Sequence, residues 1–500
     1  MTRRRILVDL KPALDGYAGV PQETRLLFAG LRCLSDKFHV EGLLQHGGGP
    51  LVCEIDDVDS HFAPAERILR HSRSVISFYG AGKRDLLAQV IREIGKLTQL
   101  FRLRWQARTP RPVTLGLFDE RLFADFIWSR FFSKTLAAEK KSLVTSANYR
   151  ILRPARRLMY EVGMSAFPLC GKSRFLAVDT SGYDFLLAQM PFPGRVASGT
   201  QLVVRYHDAV PILMPHTISD KGFHQASHFY PLRDNVASGA CFVCVSEATR
   251  QDLLTLFPEA EPRTAVIHNM VSPDYFVEAT ERAYALRILR TRWHRDEASP
   301  AAASFKPGKA LIDAPYLLMV STLEPRKNHQ LLVAAWERLK FTDLPELRLV
   351  IVGAPGWDSK PILKSFQPWL DQGDLVHLSN VPSDELRVLY QHAAATICPS
   401  VAEGFDYSGV EAMCCGGLVI ASDIAVHQEI FQSAAAYFDP YSSEQAAQKI
   451  RYLLGKEGAG EANEKRAAAA RVAARFSRES LLPQWEAFFD QHVNKSAPNT

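Results

Sequence analysis

The sequence predicts an α/β protein of two doubly wound domains that face a cleft. Three observations carry that prediction. From residue 315 to residue 455 short apolar runs alternate with helical patterns, the rhythm of a parallel sheet flanked by helices. Within that span, residues 394–417 read as a buried strand, a tight glycine-containing loop and a helix N-terminus. Five hundred residues, 47% of them apolar, suffice for two such domains with cores of their own.

In the first domain, residues 5–10 form the opening strand. Asp15-Gly-Tyr-Ala-Gly-Val-Pro follows as a turn, ahead of a helix whose apolar spacing spans residues 26–34. Further strands are expected at 183–189 and at Gln201–Tyr206, the second running into His207-Asp208-Ala-Val-Pro. Residues 243–245 make another, with Ser246 capping the helix after it, and 264–268 run up to Asn269. The expected boundaries are 1–275 for the first domain, with 45–175 as a variable basic region, and 276–313 for a linker containing Ser299-Pro-Ala-Ala-Ala-Ser. The second domain is expected at 314–478, and a final helix at 479–493.

The second domain opens with strand Tyr316–Val320, then Ser-Thr-Leu-Glu-Pro-Arg-Lys-Asn and a helix over 329–339. A strand at 349–352 precedes Gly353-Ala-Pro-Gly, and Leu375–Leu378 precedes Val381-Pro382, after which Ser383 caps a helix. Strand 394–398 leads through Pro399-Ser400 to Glu403-Gly-Phe-Asp-Tyr-Ser-Gly-Val-Glu411. Ser408 and Glu411 have capping-box spacing for a short helix that Gly416 and Gly417 close. Pro483-Gln-Trp-Glu-Ala-Phe-Phe lies in the helical tail, and the last seven polar residues are expected to be disordered.

The chemistry concentrates at two of these junctions. Ligands collect at the carboxyl ends of strands in open α/β sheets, and a helix N-terminus there favours phosphate. Carboxylates such as Glu403 and Glu411 at such a place suit sugar or ribose hydroxyls; the bland alternative is a solvated loop acid and a helix cap. Arg326 and Lys327 stand after a strand where two cations can face a diphosphate and stabilise the charge that builds as it departs.

The Glu403–Glu411 segment resembles the Glu-x7-Glu motif of retaining GT-B glycosyltransferases, in particular glycosyltransferase family 4. That family typically reads P-S-x-x-E-G-F-G-x-P-x-x-E-A-M-A-x-G, where this chain has P-S-V-A-E-G-F-D-Y-S-G-V-E-A-M-C-C-G. Asp406 replaces the second glycine and Ser408 the proline. Thr-Leu-Glu-Pro-Arg-Lys-Asn is similar to the family's G-x-L-x-x-R-K-N, with Ser321 in place of glycine. His207-Asp208 is similar to its H-D-x-x-P, and 264–269 to its V-I-x-N-G-V. The resemblance covers roughly 180–270 and 315–480, less of 1–35 and almost nothing of 45–175.

It implies a GT-B fold and a nucleotide-sugar donor, with Arg326 and Lys327 on the diphosphate, Glu403 orienting the hexose and His207 touching it. Glu411 would hold the ribose. Gly404, Phe405, Gly353, Val381 and Pro382 would line the donor site, the last two at the nucleobase. Gly19, or second Gly16, would let backbone approach the diphosphate or acceptor. No cofactor and no metal is implied, and the nearest acidic cluster, Asp56-Asp57 with Asp59, lies in the variable region.

Composition narrows the setting. The eight cysteines show no secreted disulfide framework; Cys241 and Cys244 fall on opposite faces of a strand, and reduced thiols of a cytoplasmic protein are expected. Met1-Thr-Arg-Arg-Arg leads straight into a strand, which does not read as a signal peptide, and no apolar run approaches a membrane span. Residues 91–160 hold fifteen Lys/Arg against five Asp/Glu, a net +10, whereas the whole chain carries +5. There Ile91, Ile94, Leu97, Phe101 and Trp105 recur at helical spacing among Arg92, Lys96, Arg102, Arg104 and Arg108. Such a helix suits anionic headgroups, or it is a core helix with a solvated basic face. No nucleic-acid fold is recognisable.

The expected function is therefore retaining transfer of a hexose, mannose from GDP-mannose as the first choice, to a growing surface polysaccharide or lipid-linked glycan. The expected location is cytoplasmic, with a peripheral position on the inner membrane's cytoplasmic face as the option the basic region opens. A UDP-sugar donor, a sugar-nucleotide epimerase or phosphorylase of the same fold, and a catalytically silent membrane-assembly subunit stand as alternatives.

Overall fold

Strands in the first half follow one another as β1 (Arg4–Asp9), β2 (Phe38–Leu44), β3 (Gly116–Phe118), β4 (Tyr149–Ile151), β5 (Leu176–Ala177), β6 (Phe185–Ala188), β7 (Gly194–Arg195), β8 (Gln201–Tyr206), β9 (Cys241–Cys244) and β10 (Thr264–Val266). The computed structural model describes residues 3–14, 16–17, 19–45, 62–79, 86–165, 173–296 and 314–492, with only the backbone path for 86–93 and 293–296. Asp56, Asp57 and Asp59, the Ser299 end of the linker and the last seven residues lie outside the described residues.

Among the described residues eight of these strands form one sheet in the order β10-β9-β8-β6-β1-β2-β4-β3, parallel except where β3 meets β4. Alternation along β1 sends Ile6 and Val8 to one apolar layer and Leu7 to the other. The second sheet contains β11 (Tyr316–Val320), β12 (Arg348–Val352), β13 (Leu375–Leu378), β14 (Ala395–Cys398), β15 (Val419–Ser422) and β16 (Ala435–Phe438). It is wholly parallel, in the order β13-β12-β11-β14-β15-β16. Both its faces are covered, which is why its strands read as unbroken apolar runs in the sequence.

The C-terminal helix Arg478–Gln491 returns to the first sheet, with Ser477 as its cap. Phe489 packs its ring 4.9 Å from Phe185 and 5.5 Å from Phe38, while Trp485 and Phe488 join the same layer. Each such side chain contributes about 1.5–3 kcal/mol by leaving water. Arg4–Asp490 and Lys37–Glu486 pairs fasten the outer face.

Four sequence expectations need correction. The first helix runs Val20–Arg32, six residues earlier than its apolar spacing suggests. Its opening turns carry Gln22, Glu23, Thr24 and Arg25, polar residues that are nonetheless buried, so hydrophobic periodicity misses them. The linker contains the helix Arg282–Asp296, whose Ala285, Ile288 and Leu289 join the second domain's apolar layer. Arg292 anchors it to Glu385 through Nη2, 2.7 Å. Pro382, not Ser383, occupies the cap position of helix Ser383–His392, and no side chain caps it. Asp406, not Ser408, caps helix Tyr407–Cys414, which places Glu411 inside the helix instead of at a capping-box position.

Candidate functional site

The cleft is closed over the C-terminal strand ends. After β11, Pro325–Lys327 makes one tight turn and Asn328 takes the left-handed conformation at φ 61° before helix His329–Thr342. That conformation suits asparagine, whose amide also binds the carbonyls of Pro399 at 3.1 Å and Pro440 at 2.8 Å. Arg326 and Lys327 are thereby pressed against the loop after β14.

There Glu403 receives Arg326 Nη1 on Oε2 at 2.9 Å and Ser400 Oγ on Oε1 at 2.7 Å, and Lys327 also donates to Oε1. Arg326 Nη1 further binds the Ala402 carbonyl at 3.1 Å, and its Nε binds Glu324 at 3.2 Å. Among the described residues its Nη2 makes no hydrogen bond, which leaves that edge of the guanidinium for a ligand. Burial pushes the Glu403 carboxyl up, but Lys327 and Arg326 together hold it below the usual carboxylate range. For Arg326 burial acts downward, and the charges of Glu403, Glu324 and Asp208 outweigh it.

The first sheet meets this triad through His207. Gly404 passes so close that a Cβ there would lie 1.9 Å from the His207 carbonyl, so only glycine fits. His207 Nε2 is buried without a protein partner, and burial, then Arg205, lowers its pKa to about 3; the ring is neutral near pH 7. A neutral imidazole in a cleft is able to exchange hydrogen bonds with a hydroxyl.

Glu411 sits deeper. Gln22 Nε2 of the first helix donates to Oε1 at 2.8 Å, and Tyr390 donates to Oε2 at 3.0 Å. Burial raises its pKa to about 7, with the Gln22 and Tyr390 bonds acting against that rise. Both oxygens are therefore engaged, and a ribose would reach Glu411 only where Gln22 gives way. Tyr275, whose phenol faces Glu411, lines a cavity of about 350 Å³ shared by Leu26, Met270, Cys414 and Phe476. Arg326, Lys327 and Glu403 do not line that cavity.

Other expected residues fall as follows. Gly19 caps helix Val20–Arg32 at φ 72° with open space around its missing side chain, and Gly16 has φ 57°. The left-handed region explains both glycines. Gly353 follows β12, where a Cβ would strike the Ser321 carbonyl at 1.8 Å. Val381 and Pro382 follow β13. The Phe405 ring is buried against Tyr407 and Phe476, each 5.1 Å away, so its backbone is what could meet a ligand.

Sequence reasoning missed the interdomain partners. Tyr407 donates to Glu23 Oε2 at 2.9 Å, and Glu23 pairs with Arg205 at 3.0 Å, both fully buried. An arginine inside the apolar strand Gln201–Tyr206 was the available signal. Glu429 reaches from the second domain to the N-terminus of helix Glu247–Leu256, accepting from Glu247 N at 2.7 Å and Ala248 N at 3.0 Å. Gln22 carries no comparable signal, because nothing local links it to Glu411.

Known proteins resemble this chain in sequence and in fold. Residues 303–473 match the glycosyl transferases group 1 family. The O-antigen chain mannosyltransferase B of Escherichia coli is 25% identical over 210 residues, 42% of this chain and 50% of that protein. The chain thus spans about half the length of this curated relative. Sucrose-phosphate synthase from Thermosynechococcus elongatus superimposes with TM-score 0.57 at 17% identity, over 98% of this chain and 99% of the other. Anabaena Alr3699/HepE in complex with UDP does so with TM-score 0.54 at 14% identity, over 98% and 100%. Residues 303–473 thus carry the sequence pattern of the group 1 glycosyl transferases, and along its length the chain has the GT-B fold.

Proposed function

We propose that the chain is a retaining glycosyltransferase that moves mannose from GDP-mannose to a growing, lipid-linked surface glycan. The observation that supports this reading best is the Arg326–Lys327–Glu403 triad at the strand ends, facing His207 across a contact that only Gly404 permits. A diphosphate arriving there meets Arg326 Nη2 and the remaining Lys327 donors. As the bond from the anomeric carbon to the leaving oxygen breaks, these cations stabilise the charge on the diphosphate. The acceptor hydroxyl attacks the same face, and its proton passes to the departing phosphate. Glu403 orients the hexose, His207 contacts it, and Glu411 serves the ribose once Gln22 has moved.

Mannose is favoured by the curated relative named above, an O-antigen chain mannosyltransferase. A UDP-sugar is the second reading, favoured by the complex of the structural relative with UDP. For the acceptor, the support is helix Leu86–Gln106, which exposes Ile94, Leu97, Phe101 and Trp105 along one stripe and buries Leu103. Exposed Arg102, Arg104 and Arg108 flank that stripe. An apolar stripe among cations matches an anionic lipid surface, where each basic residue contributes about 1 kcal/mol. No helix of the described residues is long and apolar enough to cross a membrane. A thermal-shift panel of nucleotide sugars tests the donor. The true donor at about 100 times its Kd stabilises by about 2.7 kcal/mol; a flat response to every nucleotide sugar would overturn the reading.

A further inference from the structure

Beneath the Glu403 loop lies a second charged group that the mechanism above does not use. Asp406 adopts the left-handed conformation, φ 61°, a geometry glycine reaches without strain and aspartate reaches when its side chain bonds locally. Its Oδ1 accepts from Ser408 N at 3.2 Å and from Ser408 Oγ at 2.6 Å. Its Oδ2 faces His427 Nε2 at 3.1 Å. His427 is fully buried and stacks on Phe431, with ring centroids 4.9 Å apart.

The other imidazole nitrogen decides the protonation state. His427 Nδ1 faces the Ser422 backbone carbonyl at 2.9 Å and Ser422 Oγ at 3.1 Å. The carbonyl only accepts, and Ser422 Oγ spends its proton on the Ser400 carbonyl, so it too is an acceptor. Nε2 faces a carboxylate, also an acceptor. With acceptors on both sides, both nitrogens must donate. Burial pushes the Asp406 carboxyl up, yet the His427 bond and charge, helped by Lys327, hold it below its usual range.

We propose that Asp406 and a doubly protonated His427 form a buried ion pair that positions the donor-sugar loop. The imidazolium grips the loop at two points: at Asp406, and through Ser422 at Ser400, whose hydroxyl donates to Glu403. Glu403 is thus fixed from the side opposite Arg326 and Lys327. Each polar atom of the pair has a partner, the condition under which a buried ion pair is tolerated. Asp406 and His427 are positioning residues: they hold the loop and do not touch the reacting atoms. Among the described residues Glu403, Glu411, Lys327, Cys398, Ser408 and Ser422 are the charged and polar groups that face the pair.

The proposal rests on the nucleotide-sugar reading for its kinetic consequence but not for the pair itself. Two measurements separate them. In protein carrying ¹⁵N-histidine, assigned by the signal lost in His427→Gln, both ring nitrogens of His427 should resonate as protonated imidazolium at neutral pH. A neutral tautomer in the wild type would overturn the proposal. In steady-state kinetics, Asp406→Asn and His427→Gln should each raise the donor KM or lower kcat roughly 10- to 100-fold, the cost of a misplaced loop. Binding of the nucleoside diphosphate alone should stay within about threefold in both variants. Wild-type donor kinetics in both variants would also overturn it. A wild-type protein that turns over no nucleotide sugar would instead refute the functional reading, with the nitrogen resonances still deciding the pair.

Discussion

Glu411 makes the stability of the closed arrangement depend on pH. Its carboxyl is 4% exposed and its pKa is raised from 4.5 to about 7 by burial. A folded-state pKa above the unfolded one means that the folded protein holds the proton more tightly. The resulting stability is fully present below about pH 4.5 and is lost as pH rises through 7. The whole shift corresponds to about 3 kcal/mol, of which about 2 kcal/mol falls between pH 5.5 and 8.5. Glu411→Gln cannot ionise and keeps hydrogen-bonding groups toward Gln22 and Tyr390. Thermal melts of both proteins across that range, taken as a difference, cancel every other titrating group. The wild type should lose about 2 °C relative to Glu411→Gln on going from pH 5.5 to 8.5, since unfolding 500 residues carries an entropy of about 1 kcal/mol/K. Parallel curves for the two proteins would refute the reasoning, because they would mean that the Glu411 carboxyl is ionised throughout or not closed over.

Other perturbations follow from the same geometry. Arg326→Ala and Lys327→Ala should each raise the barrier by about 3–4 kcal/mol, with far smaller effects on melting, in a donor-turnover assay; wild-type rates in either variant would sink their assignment to the diphosphate. Activity should persist in excess EDTA, since two cations already stand at the triad; complete loss restored by Mg²⁺ or Mn²⁺ would mean the site has been misread. Liposome flotation should show binding to anionic vesicles at low salt that Arg102, Arg104 and Arg108 changed to glutamate abolishes; unchanged binding would leave the stripe on Leu86–Gln106 without that role.

How much of this was legible in the sequence depended on whether the deciding interaction was local. Tyr316–Val320 and Leu375–Leu378 coincide with their strands, because a buried parallel strand is an apolar run with polar ends. Ser246 was readable as a cap since its bond to Thr249 N spans three residues. Ser408 was misread because Asp406 takes the cap position, accepting from Ser408 N while His427 holds its other oxygen from a different element. Val20–Arg32 was entered late because Gln22 and Glu23 are buried for the sake of Glu411, Tyr407 and Arg205, up to 389 residues away. The Arg326–Lys327–Glu403 grouping could be anticipated only through resemblance, since two turns after two different strands share no local signal. The stripe on Leu86–Gln106 was visible as periodicity, but whether it faced core or solvent was not.

The central claim is retaining transfer from a nucleotide sugar, and the stereochemistry of slow donor hydrolysis tests it most directly. Proton NMR of purified protein with GDP-mannose, or with whichever donor stabilises it, reports the first anomer released before mutarotation. The account predicts the anomer with the donor's own α configuration, formed by the wild type and suppressed in Arg326→Ala. Release of the β anomer would contradict retention, and no turnover of any nucleotide sugar would contradict the function itself.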